Sequence, residues 1–177
     1  SAVKVFLPVD ALALAVGADR VAHPVRAEAA RRGLDVQLVR NGSRGLYWLE
    51  PLVEVEVGGR RLAYGPVQAR DVASLFDAGL LTGGAHPLAL GPTEDIEYLR
   101  SQERLTFARV GVIDPLSVED YLAHGGFAGL KRALDLDPAA IVKAVTDSGL
   151  RGRGGAGFPT GIKWKTVADT QATQKYI

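Results

Sequence analysis

Polar and apolar positions alternate over residues 3–7, where β-branched and aromatic side chains predict a short strand. Ala, Leu, Val and Arg then recur at helical spacing over residues 10–32. Asp10 is placed as N-cap, Pro24 as a break and Gly33 as the C′ residue. Strict alternation returns at Leu34 to Val39 and at Leu52 to Val57, with the loop Asn41-Gly42-Ser43 between. Gly58-Gly59 supplies a two-residue hairpin turn into a strand from Arg60 to Tyr64. Residues 69–80 have the pattern of a short amphipathic helix. The order β-α-β-β-β-α predicts an α/β layer in which a hairpin follows a βαβ unit.

Beyond residue 81 the pattern loosens. Residues 82–97 carry glycine and proline with little periodicity and read as a linker or surface-hugging segment. Residues 104–113 predict a strand or extended segment. Ser117 and Asp120 have capping-box spacing ahead of a helix. Helical character resumes over 127–134 after Gly125-Gly126. Asp137-Pro138 pairs an N-cap with Pro at N1 and starts a helix to Asp147, ended by Gly149. Lys175-Tyr176-Ile177 has the look of a strand beginning, which suggests a fragment. The expected division is a domain over 1–81, a linker over 82–103 and a second domain begun over 104–177.

Composition narrows the function classes. The 177 residues are 47% hydrophobic and 23% charged, as in ordinary globular domains. A net charge of +1 gives no bulk electrostatic case for nucleic acid or an acidic membrane surface. No apolar run approaches the ~20 residues needed to span a bilayer. The absence of cysteine excludes disulfides and thiolate-bound metals in this chain. Cytoplasmic residence fits these features.

The chemistry concentrates in Ser148-Gly149-Leu150-Arg151-Gly152-Arg153-Gly154-Gly155-Ala156-Gly157-Phe158-Pro159-Thr160-Gly161. Gly152, Gly154 and Gly157 satisfy G-x-G-x-x-G, but a helix precedes them where a dinucleotide fingerprint needs a strand. A Walker A loop also fails, since Lys163 follows Ile162. Anion binding still fits. Glycines let successive backbone N–H groups approach a ligand, and Arg151, Arg153 and Lys163 add positive charge. Phe158 and Trp164 offer flat faces for a ring system, and a helix starting near Gly161 would point its N-terminus at the same place. A flexible basic loop is the plain alternative.

Residues 148–164, SGLRGRGGAGFPTGIKW, resemble the signature of the flavin subunit of NADH:quinone oxidoreductase and its relatives. Those relatives include the diaphorase subunit of NAD-reducing hydrogenases and the β subunit of NAD-dependent formate dehydrogenases. The resemblance implies FMN and NAD(H) as cofactors, with hydride transfer between them. It places Gly152, Arg153, Gly154 and Lys163 against FMN. Gly155, Ala156, Gly157 and Phe158 would approach NADH, with Phe158 near the adenine; Arg151, Pro159 and Thr160 complete the cofactor-binding set. Thr166 departs from the family, which often has a second aromatic there. Residues 94–134, with Asp114-Pro115 and Gly125-Gly126, are most similar to the formate dehydrogenase β subunit. The implied partners are a molybdenum- and iron–sulfur-containing subunit and a small ferredoxin-like subunit. Any [4Fe–4S] cluster would belong to sequence beyond these residues, and the fragment alone would not oxidise NADH. A hydrogenase or respiratory complex, or a non-catalytic assembly module, are the alternatives.

The first 81 residues resemble a thioredoxin-like [2Fe–2S] ferredoxin. Ser43 and Tyr47 stand at two of its cysteine positions, and the earlier pair falls near Asp10 and Ala15. Without thiolates no such cluster is held, so the domain is expected to be redox-silent. Trp48 is then a core or interface anchor. Glu54 and Glu56 are expected on a solvated strand face, with Val53, Val55 and Val57 opposite. Arg31-Arg32 and Arg60-Arg61 read as surface charge. His23, His86 and His124 have no metal-ligand spacing.

Overall fold

The computed structural model describes residues 2–176. Contacts divide the chain into two compact units, residues 1–124 and 125–177.

The first unit is a mixed α/β domain around one five-stranded sheet, ordered β2-β1-β3-β4-β5. The strands are β1 (Val3–Phe6), β2 (Val36–Val39), β3 (Val53–Val57), β4 (Arg60–Tyr64) and β5 (Ala89–Pro92). β1 and β2 are parallel and joined through helices α1 (Ala11–Ala15) and α2 (Ala18–Arg31); the other pairs are antiparallel. Asp10 caps α1 as expected, accepting from the Ala13 N–H at 3.0 Å. The helical break falls at Gly17, where φ is +102°, and not at Pro24. Pro24 lies inside α2, flanked by buried Val21, Ala22 and Val25. Packing of that apolar face holds the helix through a residue that donates no hydrogen bond.

α2 and α3 (Val72–Asp77) cover one sheet face with Val5, Leu7, Val53, Val55, Leu75 and Phe76 in the core. A smaller cluster of Leu46, Leu52, Ala63 and Leu99 lies apart from it, Leu99 coming from α4 (Glu97–Arg100). The sheet acquires β5 from a stretch whose glycines and prolines predict no strand; Gly91 pairs with Ala63 beside a register shift. Residues 104–113 are turns rather than a strand: the carbonyls of Leu105, Phe107 and Arg109 accept from backbone N–H groups three or four residues on, and two further carbonyls accept from side chains. Asn41 Nδ2 donates to the Gly111 carbonyl at 2.8 Å and Arg61 to that of Val112.

Only half of the expected capping box forms at α5 (Val118–Ala123). Ser117 Oγ accepts from the Asp120 N–H, but the Asp120 carboxylate turns to the Asp114 N–H instead. The second unit holds α6 (Ala128–Leu134), α7 (Pro138–Asp147) and α8 (Thr160–Asp169). α7 starts on the Asp137 cap with Pro138 at N1 and is followed by left-handed Gly149, as its sequence predicts. Lys175 and Tyr176 are not in a strand, and Ile177, the last residue of that expectation, lies outside the described residues.

Candidate functional site

The glycine-rich loop is a short hairpin between α7 and α8. Its ends are closed by the Thr160 N–H to the Leu150 carbonyl and the Gly152 N–H to the Phe158 carbonyl, both 2.9 Å, around an Arg151–Pro159 bridge. The base is fixed by helix packing. A Cβ on Gly161 would lie 2.6 Å from Thr146 Cα, so glycine alone lets α8 approach α7 this closely.

Within this frame the tip is open. The N–H groups of Arg153, Gly154, Gly155, Ala156 and Gly157 donate to no acceptor among the described residues. φ changes sign along 154–157, being positive at Gly155 (+127°) and Gly157 (+59°). Alternation of this kind forms backbone nests that bind anions. An unpaired run of donors beside cations is suited to phosphate oxygens.

The side chains have separate places. Arg151 Nε donates to the Gly157 carbonyl at 2.6 Å, and Arg153 Nη1 to the Arg151 carbonyl at 3.1 Å. Arg151 therefore braces the loop from within. Lys163, in the first turn of α8, holds its ammonium 5.7 Å from the Phe158 ring centroid; a Cβ on Gly152 would be 3.7 Å from it. Phe158 is half exposed, leaving ring surface for a planar ligand, as is Trp164. Gly152, Phe158 and Lys163 are thus brought together, with Arg153, Gly154, Gly155 and Ala156 at the exposed tip and Pro159 and Thr160 at the base. Reading the sequence missed Thr146, whose contact with Gly161 has no local pattern to announce it.

No protein-family profile matches the chain. Individual relatives do. NADP-reducing hydrogenase subunit HndC of Solidesulfovibrio fructosivorans is 50% identical over 78 residues, 44% of this chain and 16% of that protein. An NADH-quinone oxidoreductase subunit of Aquifex aeolicus is 46% identical over 61 residues, 34% of this chain and 14% of that protein. NAD-reducing hydrogenase HoxS subunit alpha of Cupriavidus necator is 35% identical over 97 residues, 52% and 14% respectively. These relatives are oxidoreductase subunits. The chain spans no more than 16% of the length of each.

The sheet domain offers different chemistry. Ser43, at a position that the ferredoxin resemblance gives to a cysteine, is hydrogen-bonded to Asp10, near which the earlier pair was expected, the Ser43 N–H donating to Asp10 Oδ2 at 2.6 Å. Ser43 Oγ donates to Glu50 Oε1 at 2.8 Å. Burial pushes the Glu50 carboxyl above its ordinary pKa, partly offset by the donors from Leu52 N–H and Ser43. Tyr47 is exposed. Trp48 is no core residue: it is half exposed and meets Tyr47 and Tyr98 edge to face, with centroids 5.2 and 5.1 Å away. Among the described residues no group of three or more His, Cys, Asp or Glu could hold a metal ion, and no helix is long and apolar enough to cross a membrane.

The expected solvated face of β3 is corrected at Glu54. Its side chain is fully buried, 2.9 Å from Arg44 Nη2, and Arg44 is itself buried and reaches Glu94 at 2.6 Å. Burial opposes the Arg44 charge, but Glu54 and Glu94 outweigh it and raise the pKa. Arg61 is mostly buried and lies over the Phe6 ring, and burial lowers its pKa. Arg60 and Glu56 alone match the surface reading of this hairpin. Of the other pair, Arg31 is exposed and Arg32 bridges Glu28 and Asp77.

Proposed function

We propose that the chain is part of the NADH-reactive flavin subunit of a multi-subunit oxidoreductase, in which hydride passes between NAD(H) and FMN. The observation that carries this reading is the row of five unpaired N–H groups at residues 153–157, set among Arg153, Lys163 and Phe158. The residues suit a flavin phosphate. The free donors of the loop and the cations of Arg153 and Lys163 would hold it, while Gly155, Ala156, Gly157 and Phe158 would line the approach of the nicotinamide nucleotide. FMN, when bound, supplies the hydride chemistry, and the chain supplies orientation and charge. The names of the similar proteins, all NAD(P)- or NADH-linked oxidoreductase subunits, support the same assignment.

The electron partner is proposed to be an NAD-dependent formate dehydrogenase with iron–sulfur clusters, on the resemblance of residues 94–134. The hydrogenase relatives support the second reading, an NAD(P)-reducing hydrogenase. The sheet domain is read as thioredoxin-like and as a redox-silent docking element in a cytoplasmic complex, with the flavin domain following it; residues 82–103, expected as a linker, contribute β5 and Leu99 to the sheet domain.

The test uses the intact subunit in its complex. Released-flavin fluorescence should give one FMN per polypeptide, and Arg153→Ala or Lys163→Ala should lower flavin affinity about 10-fold or more, the worth of a charge-assisted hydrogen bond. A flavin-free wild-type complex, or NADH–dye turnover that survives removal of this subunit, would overturn the proposal. Molybdenum in the same preparation supports formate dehydrogenase, and nickel supports hydrogenase.

A further inference from the structure

Both ends of the glycine-rich tip are tied to residue 151. At one end the Arg151 carbonyl accepts from Arg153 Nη1 at 3.1 Å, and at the other Arg151 Nε donates to the Gly157 carbonyl at 2.6 Å. Between these anchors the N–H groups of residues 153–157 meet no acceptor among the described residues. Gly154, Gly155 and Gly157 give this stretch little stiffness of its own.

The bond to Gly157 constrains more than one atom. A trans peptide is planar, so a held carbonyl fixes the whole Gly157–Phe158 unit, including the Phe158 N–H. Gly157 precedes that unit at φ +59°, and among the described residues its carbonyl accepts only from Arg151. The same bond covers an acceptor. A bare carbonyl oxygen beside a row of N–H donors repels an anion, whereas one engaged by a guanidinium does not. Freedom removed before a ligand arrives is not lost on binding.

On the flavin-subunit reading, on which this role rests, we propose that Arg151 is a positioning residue for the nicotinamide nucleotide. Its Nε holds and covers the Gly157 carbonyl and so fixes residues 155–158, the part of the loop given to that ligand. Arg151 acts through the backbone, and the flavin is held separately by Arg153 and Lys163. This role needs an N–H at one point along the side chain and not a charge. Glutamine carries its amide nitrogen at the point where arginine carries Nε, with no charge, while methionine has a similar length and no donor.

The experiment measures NADH–dye turnover and flavin content of the intact subunit in its complex. Arg151→Met should raise the KM for NADH about 10-fold, the worth of a charge-assisted hydrogen bond. Its kcat and its content of one FMN per polypeptide should match the wild type, since a loss of uniform binding leaves kcat alone. Arg151→Gln should bring KM back to within about 3-fold of the wild type, the gap between a neutral and a charged donor. Equal KM increases in the two variants would overturn the proposal, because they would show the charge itself touching the nucleotide. A wild-type KM in Arg151→Met, or loss of its flavin, would overturn it as well. A wild-type complex with neither flavin nor NADH turnover would instead sink the flavin-subunit reading, and this role with it.

Discussion

Glu54 and Glu56 are two residues apart on one strand and share a face, yet one is fully buried and the other exposed. The difference lies in what covers each. Arg44 arrives from the loop before β3 and spans Glu54 and Glu94, while Arg61 stacks on Phe6 beside them. Removing one partner of a buried ion pair leaves an uncompensated charge and costs about 3 kcal/mol or more. Glu54→Gln should therefore lower the urea-unfolding free energy of the chain by that amount, and Glu56→Gln by less than about 0.5 kcal/mol, as for ordinary surface changes. Equal effects would contradict the burial difference. Asp10 and Ser43 show the same dependence on context. A hydrogen bond ties Ser43, where the resemblance expects a metal ligand, to Asp10.

At the scale of elements, α7 and α8 define the loop between them. The approach of Gly161 to Thr146 sets the distance between the loop ends, and the two backbone bonds at Leu150–Thr160 and Gly152–Phe158 close it. Gly161→Ala forces backbone apart, since the new Cβ meets Thr146 Cα and not merely a side-chain tip. Overpacking of this kind costs about 1–3 kcal/mol. The expected outcome is faster hydrogen exchange at the Thr160 amide and loss of the Thr146–Gly161 nuclear Overhauser contact. An unchanged Thr160 amide would show that the loop closes without this packing.

Across the whole molecule, burial is uneven. Among the described residues, every buried hydrophobic side chain lies in the first unit, and Phe158, Ile162, Trp164 and Val167 of the second unit are about half exposed. Local stability follows buried apolar contact. Native-state hydrogen exchange should therefore show the strongest protection in β1, β3 and β4 and much weaker protection in α6, α7 and α8. Comparable protection in both units would refute this distribution.

Periodicity and turn chemistry were enough to place β1 to β4, the Gly58-Gly59 hairpin, the Asp10 and Asp137 caps and the helix after Gly161, because each depends on residues close in sequence. The glycine, cation and aromatic content of the loop was legible for the same reason. Other features depended on distant partners. β5 exists because β4 offers it an open edge, the end of the turn segment 104–113 is held by Asn41 and Arg61 at the Gly111 and Val112 carbonyls, and α2 continues through Pro24 because its apolar face is packed. The burial of Glu54 and the close contact at Gly161 were likewise decided in three dimensions. Local sequence determines which conformations are cheap; only the assembled fold determines which charges lose their water and which backbones touch.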